Sequence, residues 1–141
     1  VADHCASSAG KTSIPVDKYH IPAIVYSPGF IQPRRVDKLC SQIDLMPTIF
    51  SLLHFSYDSK FYGRDILAPD YNQRAFMATY QDLGYYSDDV LTVLSPVRRI
   101  RQFDVRETGP WSHTETPKET PADSLVMEAQ AFYQTVNLKP W

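Results

Sequence analysis

Apolar runs without polar interruptions mark the first part of the chain. One run ends at the polar pair Asp3 and His4, and residues 21–26 form another, which a Pro-Gly pair closes. Runs of this kind are typical of strands that are buried on both faces, as in parallel sheets. We therefore predict strands at residues 1–4 and 21–26, separated by a long serine-rich loop.

A helical pattern follows in the segment SQIDLMPTIFSLLHF. Asp44 suits the N-cap position, and Pro47 falls in the first turn, where proline is tolerated. We predict that this helix covers the sheet and that Asp44 binds the amides of its own helix rather than a substrate. The next residues, 57–70, read as an irregular connection, in which Arg64 and Asp65 are predicted to form an ion pair.

The apolar segments in the second half of the chain are shorter. Residues 75–80 predict a strand, residues 83–86 a turn, and residues 90–94 and 97–105 a hairpin with a bulge or bend. Residues 108–119 are polar and are predicted to be a loop. A last helix should begin near Thr120 and Pro121. Its expected core stripe comprises Leu125, Ala129, Phe132, Tyr133 and Val136.

These elements predict an α/β fold in one domain. Residues 1–70 would form a truncated mixed sheet with covering helices, and residues 71–141 a small antiparallel sheet followed by the carboxyl-terminal helix. The chain has 141 residues, of which 43% are hydrophobic. That size and composition suffice for a buried core.

Charge and composition exclude several classes of function. The net charge is −2, so the chain lacks the basic excess that nucleic-acid binding needs. No apolar run reaches the roughly 18–20 residues of a membrane helix, which predicts a soluble segment. Two cysteines, Cys5 and Cys40, are too few for a disulfide scaffold, and the sequence leaves open whether they pair.

The pair of Asp3 and His4 is the candidate for metal chemistry. A carboxylate oxygen and a neutral imidazole nitrogen are both good ligands of a divalent ion. The carboxyl end of a strand is also where open α/β sheets place their sites. An Asp-His dipeptide is common by chance, however, and taken alone it is a weak signal.

Several motifs that follow the Asp-His pair strengthen that weak signal, because they occur in an informative order along the chain. The segment ADH is followed by a Gly-Lys loop, by YHIPAIVYSPG, by SQIDLMPTIFSLL and by FYGRDIL. This order resembles the carboxyl-terminal part of the sulfatase and alkaline phosphatase superfamily, nearest to its lipoteichoic acid synthase and phosphoglycerol transferase group. The ordered motifs cover residues 1–68, and the resemblance is looser beyond them.

The resemblance implies a set of site residues and a reaction. Asp3 and His4 match two metal ligands, and Lys11 matches an element that contacts the substrate anion. The implied cofactor is a divalent metal, Mn, Zn, Mg or Ca. The implied reaction transfers a phosphoglycerol group from a phospholipid headgroup to a glycan or glycerol acceptor, or hydrolyses a phosphodiester, through a covalent intermediate on a threonine. The implied location is the outer side of a bacterial inner membrane, with the parent protein anchored there.

The nucleophile and the other metal ligands of that family lie upstream of the Asp-His pair, and no threonine here sits in a matching motif. We therefore interpret the chain as the carboxyl-terminal portion of such an enzyme. We expect it to be inactive alone, to hold no stoichiometric metal and to self-associate through an uncovered flank of the sheet. Two alternatives remain open: a sulfate-ester hydrolase of the same fold, and a noncatalytic domain that binds a partner through residues 80–86.

Overall fold

A five-stranded antiparallel sheet with one long helix dominates the structure, a computed structural model that describes residues 1–3 and 14–138. The described residues form two compact units. The first unit comprises Val1–Pro33 and Phe76–Trp141, and the second comprises Arg34–Ala75. In chain order the elements are α1 (Val16–Tyr19), a 3₁₀ turn (Gln42–Asp44), α2 (Leu45–Leu52), β1 (Ala75–Ala78), β2 (Leu83–Ser87), β3 (Val90–Ser95), β4 (Arg99–Gly109), β5 (Ser112–Pro117) and α3 (Asp123–Leu138).

The sheet is a meander in which each strand pairs with the next strand in sequence. The β2–β3 register places Tyr85 opposite Thr92, and the β3–β4 register places Leu91 opposite Phe103. The predicted hairpin is therefore confirmed as β3 and β4. The register shift of β4 lies between Glu107 and Gly109, further along the strand than the bulge that the sequence predicted.

Helix α3 packs across one face of the sheet and closes the main core. Leu125 and Ala129 are buried against Tyr85 and Val90, with Phe132 partly buried beside them. The Tyr133 hydroxyl donates hydrogen bonds to the carbonyls of Met77 and Gly84. The predicted carboxyl-terminal helix is thus confirmed, although it begins at Asp123 rather than at Thr120, and Val136 is about half exposed.

The start of α3 is held by a side chain rather than by a threonine cap. The Gln102 amide accepts a hydrogen bond from the Ala122 N–H and donates one to the Ala122 carbonyl. The same amide nitrogen donates to the Thr92 hydroxyl, which is fully buried. A strand side chain therefore satisfies the Ala122 N–H, which has no partner within the helix, whereas the Ala122 carbonyl also accepts the N–H groups of Leu125 and Val126.

The second unit contains the predicted helix of the SQIDLMPT phrase. A 3₁₀ turn, Gln42–Asp44, leads into α2, Leu45–Leu52, in which Pro47 and Thr48 are buried. Pro47 lies in the first turn of α2, as expected, because its missing N–H has no helical partner there. The predicted helix is thus confirmed within its segment, with Asp44 preceding its first residue.

The predicted strands at residues 1–4 and 21–26 do not form among the described residues. Residues 21–26 have no regular secondary structure, and their apolar side chains face solvent: Ile24 is 83% and Tyr26 84% exposed. One backbone hydrogen bond, from the Ala2 N–H to the Pro22 carbonyl, joins the two segments. A strand that is buried on both faces needs neighbouring strands and covering helices, and the described chain places none there.

The predicted loop over residues 108–119 and the predicted turn over residues 83–86 are also wrong. Residues 83–86 belong to β2, and residues 112–117 form β5 at the edge of the sheet. Nearly all side chains of β5 are polar, and most of them are exposed, so the strand lacks an apolar pattern. Its pairing with β4, not its own composition, determines its conformation.

Candidate functional site

Asp3 lies at the end of the short described segment before residue 14. The Ala2 N–H donates a hydrogen bond of 3.3 Å to the Pro22 carbonyl, which brings this segment beside residues 21–26. The Asp3 side chain is exposed. His4, Lys11 and Cys5 lie outside the described residues, so the assignments of Asp3 and His4 as metal ligands and of Lys11 as a substrate contact stay predictions.

The donor chemistry of Asp3 and His4 fits a divalent ion, but only as part of a larger ligand set. Within residues 1–3 and 14–138, no group of three or more His, Cys, Asp or Glu side chains is arranged to hold a metal. Transition-metal sites generally use three or four protein ligands. The pair can therefore supply an oxygen and a nitrogen to an ion whose other ligands come from elsewhere.

A buried ion pair organises the second unit. The Asp44 carboxylate is fully buried and accepts hydrogen bonds from Arg74, at 3.0 and 3.2 Å, and from the Tyr71 hydroxyl, at 2.8 Å. It also accepts backbone N–H bonds from Ser41 and Arg64. Burial, followed by the hydrogen bond to Asp44, raises the pKa of Tyr71. With its charge matched by Arg74 and its oxygens fully engaged, this carboxylate has a structural role.

The predicted structural role of Asp44 is therefore confirmed, but the predicted hydrogen bonds to the amides of its own helix are wrong. Asp44 occupies the N-cap position of α2, but its side chain caps no amide of that helix. It instead closes a capping box with Ser41 and fixes the residues around Arg64, 20 positions later. The predicted ion pair of Arg64 with Asp65 is absent from the described chain, since Asp65 accepts the Leu67 N–H instead.

The glycine of the FYGRDIL motif allows the backbone of the second unit to close. Gly63 is buried, and a Cβ built there would lie 1.9 Å from the Ile43 carbonyl oxygen. Only glycine permits that approach of the two backbones. This motif thus contributes to packing around Asp44, since Arg64 follows it directly.

A cluster of ring side chains and carboxylates joins α1 to β5. His113 Nδ1 lies 2.7 Å from Asp17 Oδ1, and the Val16 N–H donates a hydrogen bond of 2.6 Å to Glu115. His20 packs on Trp111 with ring centroids 4.0 Å apart. Burial lowers the pKa of His20, and the nearby His113 lowers it further. These contacts fasten the residues that directly follow the 4–13 segment, in which His4 and Lys11 lie.

Sequence reasoning missed most of this cluster. His20 follows α1 and packs on Trp111, a contact between distant residues that no local pattern indicates. Asp17 and His113 are 96 residues apart, and no spacing connects them. The buried position of Arg74 likewise could not be predicted from the sequence. Its partner Asp44 is 30 residues away, and no local pattern indicates that Arg74 is buried.

The tyrosine-rich stretch of residues 80–86 is mostly internal. Tyr85 is fully buried, and Tyr86 is nearly so. Burial and the neighbouring Asp89 carboxylate raise the pKa of Tyr86 to about 12. Tyr80 alone of these three tyrosines is fully exposed. The stretch therefore does not present the row of aromatic rings that a partner-binding domain would require.

Comparison with known proteins agrees with the motif order. Residues 1–55 match the family model described as Sulfatase. The chain is also similar to the crystal structure of a protein in the alkaline phosphatase superfamily from Vibrio parahaemolyticus, with 30% sequence identity and a TM-score of 0.77. That similarity covers 99% of this chain and 35% of the other, so the chain spans about a third of the length of its match.

The structural match confirms the expected class of fold, a mixed α/β arrangement that ends in an antiparallel sheet and a helix. None of the helices in residues 1–3 and 14–138 is both long enough and apolar enough to span a bilayer.

Proposed function

We propose that this chain belongs to the sulfatase and alkaline phosphatase superfamily and contributes part of the active site of a metal-dependent phosphoglycerol transferase or phosphodiesterase. The observation that carries the proposal is the match of residues 1–55, which hold the Asp-His pair, to the sulfatase model. The motif order around that pair favours phosphoglycerol transfer from a phospholipid headgroup to an envelope glycan or to glycerol. The protein would be anchored in a bacterial inner membrane, with this part on the outer side.

Asp3 and His4 would hold one side of a divalent ion, Mn, Zn, Mg or Ca. Such an ion, when bound, lowers the pKa of the attacking hydroxyl and offsets charge on the transferring group. Asp3 supports this role because its carboxylate is exposed at the end of its segment, next to the residues around Pro22. Lys11, with its single positive charge, would contact an anionic oxygen of the substrate.

The α1–β5 contacts support the same site indirectly. The residues from Ile14 to His20 form the carboxyl-terminal attachment of the 4–13 segment, and Ile14 is buried against Met77 and Gly84. These residues would act as positioning residues for His4 and Lys11.

A full-length assay tests the proposal. The full-length protein should release diacylglycerol from phosphatidylglycerol in the presence of a divalent metal. Asp3→Ala and His4→Ala should each lower kcat/KM by about 100-fold or more, because each removes a metal ligand. Asp37→Ala is the matched control, since this exposed carboxylate forms a surface ion pair with Arg35, and the activity of this variant should be unchanged. Activity that survives both substitutions would refute the role of the pair.

A sulfate-ester hydrolase is the second candidate, and the name of the matching family model favours it. The same full-length protein should then hydrolyse an aryl sulfate and leave phosphatidylglycerol intact. A protein that acts on neither ester would favour the noncatalytic alternative.

A further inference from the structure

Two turns at one end of the sheet carry fully exposed apolar side chains. Tyr80 lies in the β1–β2 turn, and Val97 lies in the β3–β4 turn. Both side chains are fully exposed to solvent. Both turns leave the sheet next to the Leu83–Leu94 pair, so they are neighbours. Arg101 ties them together, with an ion pair of 2.9 Å to Asp82 and a hydrogen bond to Ser95.

The backbone conformation of the β3–β4 turn is unfavourable for Val97, which occupies it. Val97 has φ 61° and Arg98 φ 57°, and two positive φ values in succession favour an Asn-Gly pair. A β-branched residue is the least suited to this region of backbone conformation. The β2–β3 turn has the same geometry but uses Asp88 and Asp89, which tolerate it better. Val97 contributes no burial in return for this strain, so folding stability does not explain it.

Two exposed positive charges follow Val97 directly in the chain. Arg98 and Arg99 are exposed beside Val97, whereas Arg101 is matched by Asp82. The chain as a whole carries a net charge of −2, so this concentration of positive charge is local. A neutral apolar partner would gain nothing from it, but an anionic surface with an apolar interior would match both features.

We propose that this end of the sheet, formed by Tyr80, Val97, Arg98 and Arg99 and here named the tip surface, docks on a membrane whose headgroups are anionic. The tyrosine ring suits the headgroup layer because it has an apolar body and a polar hydroxyl. Val97 would enter the same layer, and the guanidinium groups would form paired hydrogen bonds with lipid phosphates. The inference rests on the turns alone and does not depend on the proposed enzymatic activity.

Sedimentation of the 141-residue chain with lipid vesicles tests the proposal. The chain should bind vesicles of phosphatidylglycerol and phosphatidylcholine and should bind vesicles of phosphatidylcholine alone far more weakly. Arg98→Gln and Arg99→Gln should each weaken binding by about fivefold, since an arginine near an anionic surface contributes about that factor. Tyr80→Ser should weaken it by about tenfold through lost apolar contact.

Matched variants distinguish binding through the tip surface from nonspecific binding of other exposed side chains. Met127→Ser removes another exposed apolar side chain, on α3, and Arg106→Gln removes another exposed arginine, on β4; neither should change binding. Val97→Gly relieves the positive φ, so it should fold at least as well as the parent chain and still bind about tenfold more weakly. Equal binding to both kinds of vesicle, or equal losses in the tip and control variants, would overturn the proposal.

Discussion

Asp44 is a residue of the SQIDLMPT phrase whose contacts are structural. Its carboxylate is 0% exposed and its partner Arg74 is 3% exposed, so each charge relies on the other after leaving water. Removal of one member of such a pair leaves an uncompensated buried charge, which costs far more than the net contribution of the intact pair.

Asp44→Ala should therefore destabilise the second unit by about 3–5 kcal/mol. Hydrogen exchange of the amides in α2, combined with chemical denaturation, would measure the loss. The matched control is Asp37→Ala, which removes an exposed partner of Arg35 and should cost less than about 1 kcal/mol. Equal losses for the two variants would contradict the role of Asp44.

Gly63 provides a second test at the same scale. Gly63→Ala should destabilise the second unit by about 1–3 kcal/mol, because the new Cβ would overlap the Ile43 carbonyl and the backbone must shift. Gly109→Ala places its Cβ in open space, so its effect should stay within about 0.5 kcal/mol. Denaturant titration of both variants against the parent chain decides the matter, and similar midpoints would count against the steric explanation.

The contacts between α1 and β5 depend on pH. The pKa of His20 is lowered from 6.5 mainly by burial, so the unfolded chain takes up a proton at His20 more readily than the folded chain. This contribution to stability is full above about pH 6.5 and is lost as the pH falls through that value. Asp17 and Glu107 oppose the effect, and His113 reinforces it.

The His20 imidazole should therefore titrate below pH 6.5 in an NMR experiment. The urea midpoint of the chain should fall between about pH 7.5 and 5.5, and part of that fall should be absent in His20→Phe, which keeps a ring against Trp111. A His20 pKa at or above 6.5 would refute the prediction.

The elements differ in how far local sequence determines them. Local patterns of apolar, capping and proline residues predicted α2, α3 and the hairpin of β3 and β4. Only α3 and β3 bury a row of apolar side chains, whereas the buried residues of α2 are Pro47 and Thr48. Periodicity failed for β5, whose conformation comes from its pairing with β4, and for residues 21–26, whose apolar pattern has no described neighbours to bury it. The Asp-His pair could be singled out as a candidate because its two members are adjacent, and its role as a metal site stays a prediction. Asp17 and His113 meet only through the fold.

At the scale of the whole molecule, the uncovered apolar residues 21–30 have a cost in solution. Ile24, Tyr26 and Phe30 are each more than 60% exposed in a segment with no strand partner. Exposed apolar residues in extended chain favour association between copies.

We expect the 141-residue chain to self-associate through these residues. The double substitution of Ile24→Ser and Tyr26→Ser should weaken association by about tenfold or more, because it removes two apolar contacts. Sedimentation velocity over a range of concentrations would measure this. Met127→Ser, which removes an exposed apolar side chain on α3, should leave association unchanged. A parent chain that stays monomeric at every concentration would contradict the expectation.

The meander has a consequence for how the first unit acquires its structure. Every strand pairs with its neighbour in sequence, and α3 follows the last strand after five residues. Closing such short loops costs little chain entropy, and topologies rich in local pairings fold quickly. During synthesis the hairpins can therefore form one after another as they are made, and the core beneath α3 can close only when Leu125, Ala129 and Phe132 are present.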